Sequence, residues 1–315
     1  MPNKHLKIYV AGHKGLAGSA IVRQIENEGR HTWFGATRDQ LDLCDRTSVF
    51  DFIGQHKPDA VIIAAAKVGG MYANIDFPVE FLSENIQIQT NLMDAAHKIG
   101  VENLVFLGSS CIYPKFAPQP IKEDSLLAGP LEETNSAYSI AKIAGVKLVQ
   151  AYRKEYGRKW TSAMPSNLYG PEDNFDPHTS HVLPAWLRKF HEANVSGAQS
   201  ITLWGSGNPS REFLHVDDLA KAVLFLLRGY DDATAINVGT GVDLEIRELA
   251  TLIAQVTGYQ GQIKWDTSKP DGTPRKLLDV GRINNLGWKS EITLDQGVKA
   301  TYDWFVKALA AGNLR

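Results

Sequence analysis

Four residues of this 315-residue chain combine into recognisable chemistry. Tyr138 and Lys142 stand at i and i+4 in a helical pattern, so they share one face. An ammonium beside a phenol favours the phenolate and draws a Tyr pKa from about 10 toward working pH. Such a Tyr can protonate a carbonyl oxygen as hydride reaches the carbon. Ser109 ends the apolar run Leu104-Val105-Phe106-Leu107 and can donate a second hydrogen bond to that oxygen. Cys111 follows two residues later, and hydride transfer does not need it. A thiol there points to a second chemistry in the same pocket, proton abstraction from carbon. Its ordinary pKa of about 8.5 needs only a modest downward shift for a base near neutrality.

Hydride needs a carrier, and the N-terminus offers a place for one. Gly12, Gly15 and Gly18 follow a short apolar strand and open a helix. Glycines let backbone turn tightly and approach a pyrophosphate, and a helix N-terminus presents free N–H groups. The spacing is G-x-x-G-x-x-G rather than G-x-G-x-x-G, and its position after the first strand marks a dinucleotide site. NAD enzymes usually place a carboxylate after the second strand. Here the segment is Gly35-Ala36-Thr37-Arg38-Asp39. Arg38, with Lys14 in the glycine loop, favours a 2′-phosphate and hence NADP(H), although Asp39 could still serve a ribose. Asp42 and Leu43 are placed to reach the adenine.

These groups need a frame. Short apolar strands are expected at 6–11, 32–36, 60–66, 103–108 and 160–164, with helices at 16–29, 46–56, 78–99 and 138–156 between them. That alternation predicts an α/β fold, a doubly wound parallel Rossmann sheet with ligands at the carboxyl ends of its strands. After Pro171 loops alternate with shorter elements, including helices at 182–193, at 217–227 with Asp217 as N-cap, at 243–257 and from 294. Residues 1–170 are read as the dinucleotide-binding domain and 171–315 mainly as a smaller mixed α/β substrate domain, with segments around 212–240 returning to the first. Lys269 to Arg275 reads as a loop.

Bulk properties exclude several classes. Net charge is −2 and the cations are dispersed, so no nucleic-acid partner is expected. The longest apolar stretches are strand-sized, which argues against a membrane span, and a strand begins too early for a signal peptide. Two cysteines, Cys44 and Cys111, make no disulfide framework and suggest a reducing cytoplasm. No metal is expected.

The chain resembles extended short-chain dehydrogenase/reductases of the nucleotide-sugar branch. Within it, Leu107-Gly108-Ser109-Ser110-Cys111-Ile112-Tyr113-Pro114 and Ala64-Ala65-Ala66-Lys67-Val68-Gly69-Gly70 are similar to the GDP-L-fucose synthases. So are Asn167-Leu168-Tyr169-Gly170-Pro171, Trp204-Gly205-Ser206-Gly207 and Arg211-Glu212-Phe213-Leu214-His215. The glycine loop and Tyr-x-x-x-Lys mark only the superfamily. The resemblance covers essentially the whole chain and implies an NADPH-dependent 3,5-epimerase and 4-reductase of GDP-4-keto-6-deoxy-D-mannose. It further implies cofactor contacts from Leu16, Leu107, Gly108, Tyr138, Lys142, Pro165, Asn167, Leu168 and His181. A homodimer through the helices at 78–99 and 138–156 is implied as well.

Inversion at carbon needs a donor as well as an acceptor. A group titrating near neutrality points to histidine. Of the nine histidines, His181 matches the family's acid/base position, and His178 is its neighbour and rival. Arg211, with Lys189 or Arg188, would neutralise the diphosphate, Trp204 would pack on ribose or guanine, and Asn167 and Asp271 would face the sugar or base. Lys189 stands where the family tends to carry Arg, so a bidentate fork is lost there.

Three other readings compete. A 4,6-dehydratase would need an acid/base carboxylate near Ser110-Cys111-Ile112, and none is there. A 4-epimerase or a simple reductase of the same family needs no thiol. A non-catalytic NADP sensor would commonly have lost Tyr138 or Lys142. The cofactor reading has a direct check. Arg38→Asp should raise the KM for NADPH far more than that for NADH, and equal effects would refute it.

Overall fold

A strand that is apolar at nearly every position must be covered on both faces. The first half of the chain lays down such strands between helices: β1 (Lys7–Ala11), α1 (Leu16–Glu28), β2 (Thr32–Phe34), α2 (Arg46–His56), β3 (Ala60–Ile63), α3 (Met71–Asp76), α4 (Pro78–Lys98), β4 (Asn103–Leu107), α5 (Ser136–Tyr156) and β5 (Lys159–Pro165). The second half is more finely divided: β6 (Asn167–Tyr169), α6 (Val182–Val195), β7 (Ser200–Trp204), β8 (Ser210–His215), α7 (Val216–Gly229), β9 (Ile236–Val238), β10 (Asp243–Glu245), α8 (Ile246–Thr257), β11 (Gln262–Asp266), β12 (Arg275–Lys276), α9 (Gly281–Asn285) and α10 (Leu294–Ala310). The computed structural model describes residues 4–177, 179–269 and 271–314. Among them no helix is long and apolar enough to cross a membrane.

Six strands form one parallel sheet in the order β2-β1-β3-β4-β5-β9, the Rossmann-like frame. Helices α1 and α7 pack together as one covering layer, and α2, α4 and α5 as another. The order reverses at β1, and a ligand crevice opens beyond strand ends at such a reversal. The two loops there touch closely. A Cβ on Gly12 would lie 2.7 Å from the Ala65 nitrogen. Ala64 and Ala65, which follow β3, lie directly against the glycine loop.

The chain after Tyr169 does not stay together. Helix α7 and β9 lie with the main sheet, and Leu278, Val280, Ile283 and Trp288 belong to its apolar core. A second core gathers Phe175, Leu183, Trp186, Phe190, Phe213, Ile253 and Phe305. It is bordered by β8, which pairs with β10, β12 and β6, and by the parallel pair β7 and β11.

Two sequence expectations need correction. Helix α7 begins at Val216, capped by His215, whose Nδ1 accepts from the Asp217 nitrogen at 3.3 Å. Asp217 is not the cap because its carboxylate pairs with Arg23 on α1 at 2.7 Å. Residues 243–257 are not one helix. Asp243–Glu245 pair antiparallel with β8, and α8 starts only at Ile246, where Glu248 folds back to accept from the Glu245 nitrogen at 2.8 Å.

Asn237 joins three segments inside the core. Fully buried, its Nδ2 donates to Ile121 O at 2.9 Å and Asp279 O at 3.1 Å, while Oδ1 accepts from the Tyr113 hydroxyl at 2.6 Å. Losing this side chain strands several buried polar groups at once. Asn237→Ala should cost about 3 kcal/mol and Tyr113→Phe about 1 kcal/mol, read from urea unfolding midpoints.

Candidate active site

The site is built where β4 gives way to α5. Gly108 leaves β4 against β5, so close that a Cβ would meet Met164 Cε at 2.3 Å. Ser109 then starts a short 3-10 turn over Ser110–Ile112, its Oγ accepting from the Cys111 nitrogen at 3.2 Å. Buried Ser139, in the first turn of α5, donates to Cys111 O at 2.9 Å. The turn bearing Ser109 and Cys111 is thus fixed to the helix bearing Tyr138 and Lys142.

Lys142 is buried and donates from Nζ to Leu107 O at 2.7 Å. Its Nζ also lies 4.8 Å from the Phe106 ring centre and 5.8 Å from that of Tyr138. Burial pulls the Lys142 ammonium down to about 7. Tyr138 is raised from its ordinary value by burial and by the negative charge of Cys111, with a Ser109 hydrogen bond acting the other way. This departs from the simple picture of an ammonium lowering a neighbouring phenol. The protein alone desolvates both groups, so Tyr138 keeps its proton and is ready to donate it.

Lys276 completes the cluster. Its Nζ donates to Cys111 Sγ at 3.6 Å from β12, where it lies beside Arg211 of β8 in register. Nothing in the sequence marks it, since it is separated from Cys111 by 165 positions and only strand pairing brings it in. His181 is the N-cap residue of α6. It is open to solvent yet enclosed by protein on most sides, as on a cleft wall, and this surrounding lowers its pKa, as does Lys276. Arg211 is half-buried, donates to Ser210 O at 2.8 Å, and feels the charges of Cys111, Asp271 and Glu132. Ser109, Cys111, Tyr138 and Lys142 thus share one corner of the fold, with His181 within electrostatic reach of Lys276 and Arg211 within that of Cys111.

The loop delivering His181 is stiffened by its own side chains. Asp176 Oδ1 accepts from the Thr179 nitrogen at 2.9 Å and from its hydroxyl at 3.0 Å. Asn174 donates to the Thr179 hydroxyl at 2.9 Å, and Gly70 N donates to Thr179 O at 2.9 Å. The rival His178 lies outside the described residues.

At the other end of the cleft, Gly12 adopts φ +83°, and a Cβ on Gly18 would fall 2.0 Å from Gly12 O. No side chain fits there. Gly15 caps α1 without a side-chain acceptor, which leaves first-turn amides for a phosphate. Leu16 opens that helix. Lys14 is exposed, and Arg38 is 73% exposed with a long 3.8 Å contact to Glu84. Asp42 accepts from the Cys44 nitrogen at 2.9 Å, and Leu43 O accepts from Asn91. Leu107, Gly108 and Pro165 stand at the carboxyl ends of β4 and β5, facing the same crevice edge. This cradle fits a dinucleotide.

The remaining residues frame the other flank. Asn167 donates to Glu212 O at 2.7 Å and so ties β6 to β8, with Leu168 half-buried beside it. Lys189 is exposed and donates to Thr202 O at 2.5 Å. Arg188 is engaged with Glu192 and Phe175 O. Trp204 is 51% exposed, with Lys269 Nζ 5.4 Å over its ring. Asp271 accepts from the Ser206 nitrogen and hydroxyl at 2.7 and 2.8 Å, so it shapes the turn following Trp204. No group of acidic, His or Cys side chains among the described residues could hold a metal ion.

A parallel sheet reversing at a glycine cradle, with Ser, Tyr and Lys beyond its strand ends, defines a dinucleotide-dependent enzyme, and the chain belongs to the NAD dependent epimerase/dehydratase family, whose model matches residues 8–239. It is 53% identical to GDP-L-fucose synthase 1 of Arabidopsis thaliana, over 98% of this chain and 95% of that one. It is 52% identical to GDP-L-fucose synthase of Escherichia coli, over 96% and 97%. Among solved structures, a GDP-L-fucose synthetase from Naegleria fowleri bound to NADP superposes with TM-score 0.90 at 28% identity, covering 98% and 96%. A GDP-6-OMe-4-keto-L-xylo-heptose reductase from C. jejuni gives TM-score 0.92 at 35% identity, covering 96% and 98%.

Asp173, in the loop leading to His181, is a buried carboxylic acid. One oxygen accepts from the Asn174 nitrogen at 2.8 Å, and the other has no partner among the described residues. Burial raises its pKa from 3.8 to about 7. An acid raised on folding stabilises the fold only while protonated, so stability falls as pH climbs from 3.8 to about 7. Asp173→Asn should remove this dependence. Its melting temperature should exceed that of the parent by more at about pH 8 than at about pH 5.

Proposed function

We propose that this protein converts GDP-4-keto-6-deoxy-D-mannose to GDP-L-fucose by inverting C3 and C5 and then reducing the C4 ketone with NADPH. The observation that carries this is the Cys111–Lys276 pair, 3.6 Å apart, set beside a Ser109/Tyr138/Lys142 reducing group. Near-full-length relatives at 53% and 52% identity bear the name GDP-L-fucose synthase, which supports the reading.

The ketone acidifies the hydrogens on its neighbouring carbons. Ser109 and Tyr138 hold the C4 oxygen and stabilise the enolate that forms when one is removed. Cys111 takes that proton on sulfur, with Lys276 Nζ beside it at 3.6 Å. His181 protonates the opposite face. Its lowered pKa makes the imidazolium a stronger acid. Bound NADPH supplies hydride to C4 in the reducing step. Tyr138 then gives its retained proton to the developing alkoxide, and Lys142, anchored on Leu107 O, holds the phenol in place.

Gly12, Gly15, Gly18 and the first turn of α1 would cradle the pyrophosphate, and Arg38 with Lys14 the 2′-phosphate. Arg211 and Lys189 would neutralise the GDP diphosphate, with Trp204 against ribose or guanine and Asn167 and the Asp271 loop bordering the sugar. Residues 1–170 would carry the cofactor and most of 171–315 the substrate. Two copies would pair through α4 and α5. The two free cysteines suit a reducing compartment, and we assign the protein to the cytoplasm on that ground.

Product analysis by NMR in deuterated water, with this keto sugar and NADPH, tests the whole scheme. Cys111→Ser should block exchange of the C3 and C5 hydrogens with solvent while reduction of a pre-epimerised ketone stays measurable. Undiminished exchange would remove Cys111 from the role of base.

A further inference from the structure

Two inversions by one acid–base pair raise a problem of resetting. After the first, Cys111 holds a proton it must lose, and His181 lacks one it must regain. His181 is open to solvent and can recover its proton from there. Cys111 is only partly accessible, and Ser109, Tyr138 and a bound sugar would cover its front.

A second opening borders it. A cavity of about 10 Å³, roughly the space one water requires, is bounded by Cys111, Lys115, Glu132, Thr273 and Lys276 among others. Ser109, Tyr138, Lys142 and His181 do not line it, so it borders Cys111 without being shared with those four. Its walls mix apolar side chains with a hydrogen-bonded polar group. Glu132 Oε2 accepts from Lys115 Nζ at 3.0 Å and from the Thr273 hydroxyl at 3.3 Å, and Lys276 Nζ reaches Cys111 Sγ. Burial opposes the charge on Glu132, yet Lys115 and Thr273 hold its pKa below the ordinary range, so it remains an acceptor. The Lys115 and Glu132 side chains are 31% and 16% exposed, which gives the cavity a rim at the surface.

We propose that one water in this cavity removes the proton from Cys111 between the two inversions and passes it to solvent past Glu132 and Lys115. The S–H bond breaks and its electron pair stays on sulfur, restoring the thiolate beside Lys276. The water oxygen gains that proton as it releases another at the Glu132–Lys115 rim. Nothing is oxidised or reduced, and the equivalent proton enters at His181 from the opposite side. Glu132 and Thr273 then serve as positioning residues for the second inversion and not for hydride transfer.

The inference rests on Cys111 being the base, and the test separates the two claims. Full-length protein is mixed with GDP-4-keto-6-deoxy-D-mannose in deuterated water, and deuterium at C3 and C5 is followed by rapid quench and NMR. Thr273→Leu fills the cavity, and Glu132→Gln keeps its shape while removing the charge. In both variants, the position inverted first should exchange once per site at the parent rate. Exchange at the other position should slow about tenfold or more, with reduction of a pre-epimerised ketone retained. A proportional fall at both positions, including the first turnover, would mean a deformed site and overturn the relay, as would parent-like ratios in both variants. If Cys111→Ser still exchanges, the functional reading itself fails. If it does not, and the two variants leave the ratio unchanged, only the relay fails.

Discussion

The contact from Lys142 Nζ to Leu107 O sets the geometry of the whole site. A buried ammonium without a partner would be costly, so α5 is held where its lysine can reach the end of β4. That single distance fixes how Tyr138 meets Ser109, and Ser139 repeats the constraint one turn away by gripping Cys111 O. The residues proposed to hold the reacting oxygen therefore belong to one corner of the sheet. His181 on α6 and the turn after Trp204 stand instead beside the second core.

One corner serves two chemistries because enolate and alkoxide place negative charge on the same oxygen. What differs is the flanking proton traffic. Burial raises the pKa of Tyr138, and Cys111 has Lys276 Nζ within 3.6 Å. Groups within one small volume thus stand in different surroundings, one desolvated and one beside a cation. The pKa of His181 is lowered first by burial and then by Lys276, the same lysine that stands 3.6 Å from Cys111 Sγ.

The frame was legible because its signals are local. Apolar runs bounded by helices announce a parallel sheet, and glycines at a strand–helix turn announce close backbone approach. Tyr138 and Lys142 stand one helical turn apart and Ser109 and Cys111 share one strand end, so each pair is legible by itself, while the pairing of the two leans on the glycine loop and the strand-end serine beside them. Lys276 was invisible for the opposite reason. It arrives on a two-residue strand whose pairing with β8 no periodicity reveals. The His215 cap escaped notice because Arg23, far away in sequence, draws the Asp217 carboxylate elsewhere. Tyr138 is raised first by burial, which a sequence does not display, rather than lowered as its pairing with Lys142 suggests. Asp271, expected to face ligand, is held by Ser206, a contact between two loops that fold together only in space.

The tie made by Asn237 reaches further than the core. Ile121 N donates to Leu277 O and Asp279 N to Ile121 O, each at 2.8 Å, alongside the Asn237 bonds. Lys276 is therefore gripped from two directions, by this tie and by its pairing with β8 at the border of the second core. It stands at the seam of two cores rather than within either, so a shift of one against the other would reach the thiol as a change in the position of its neighbouring cation.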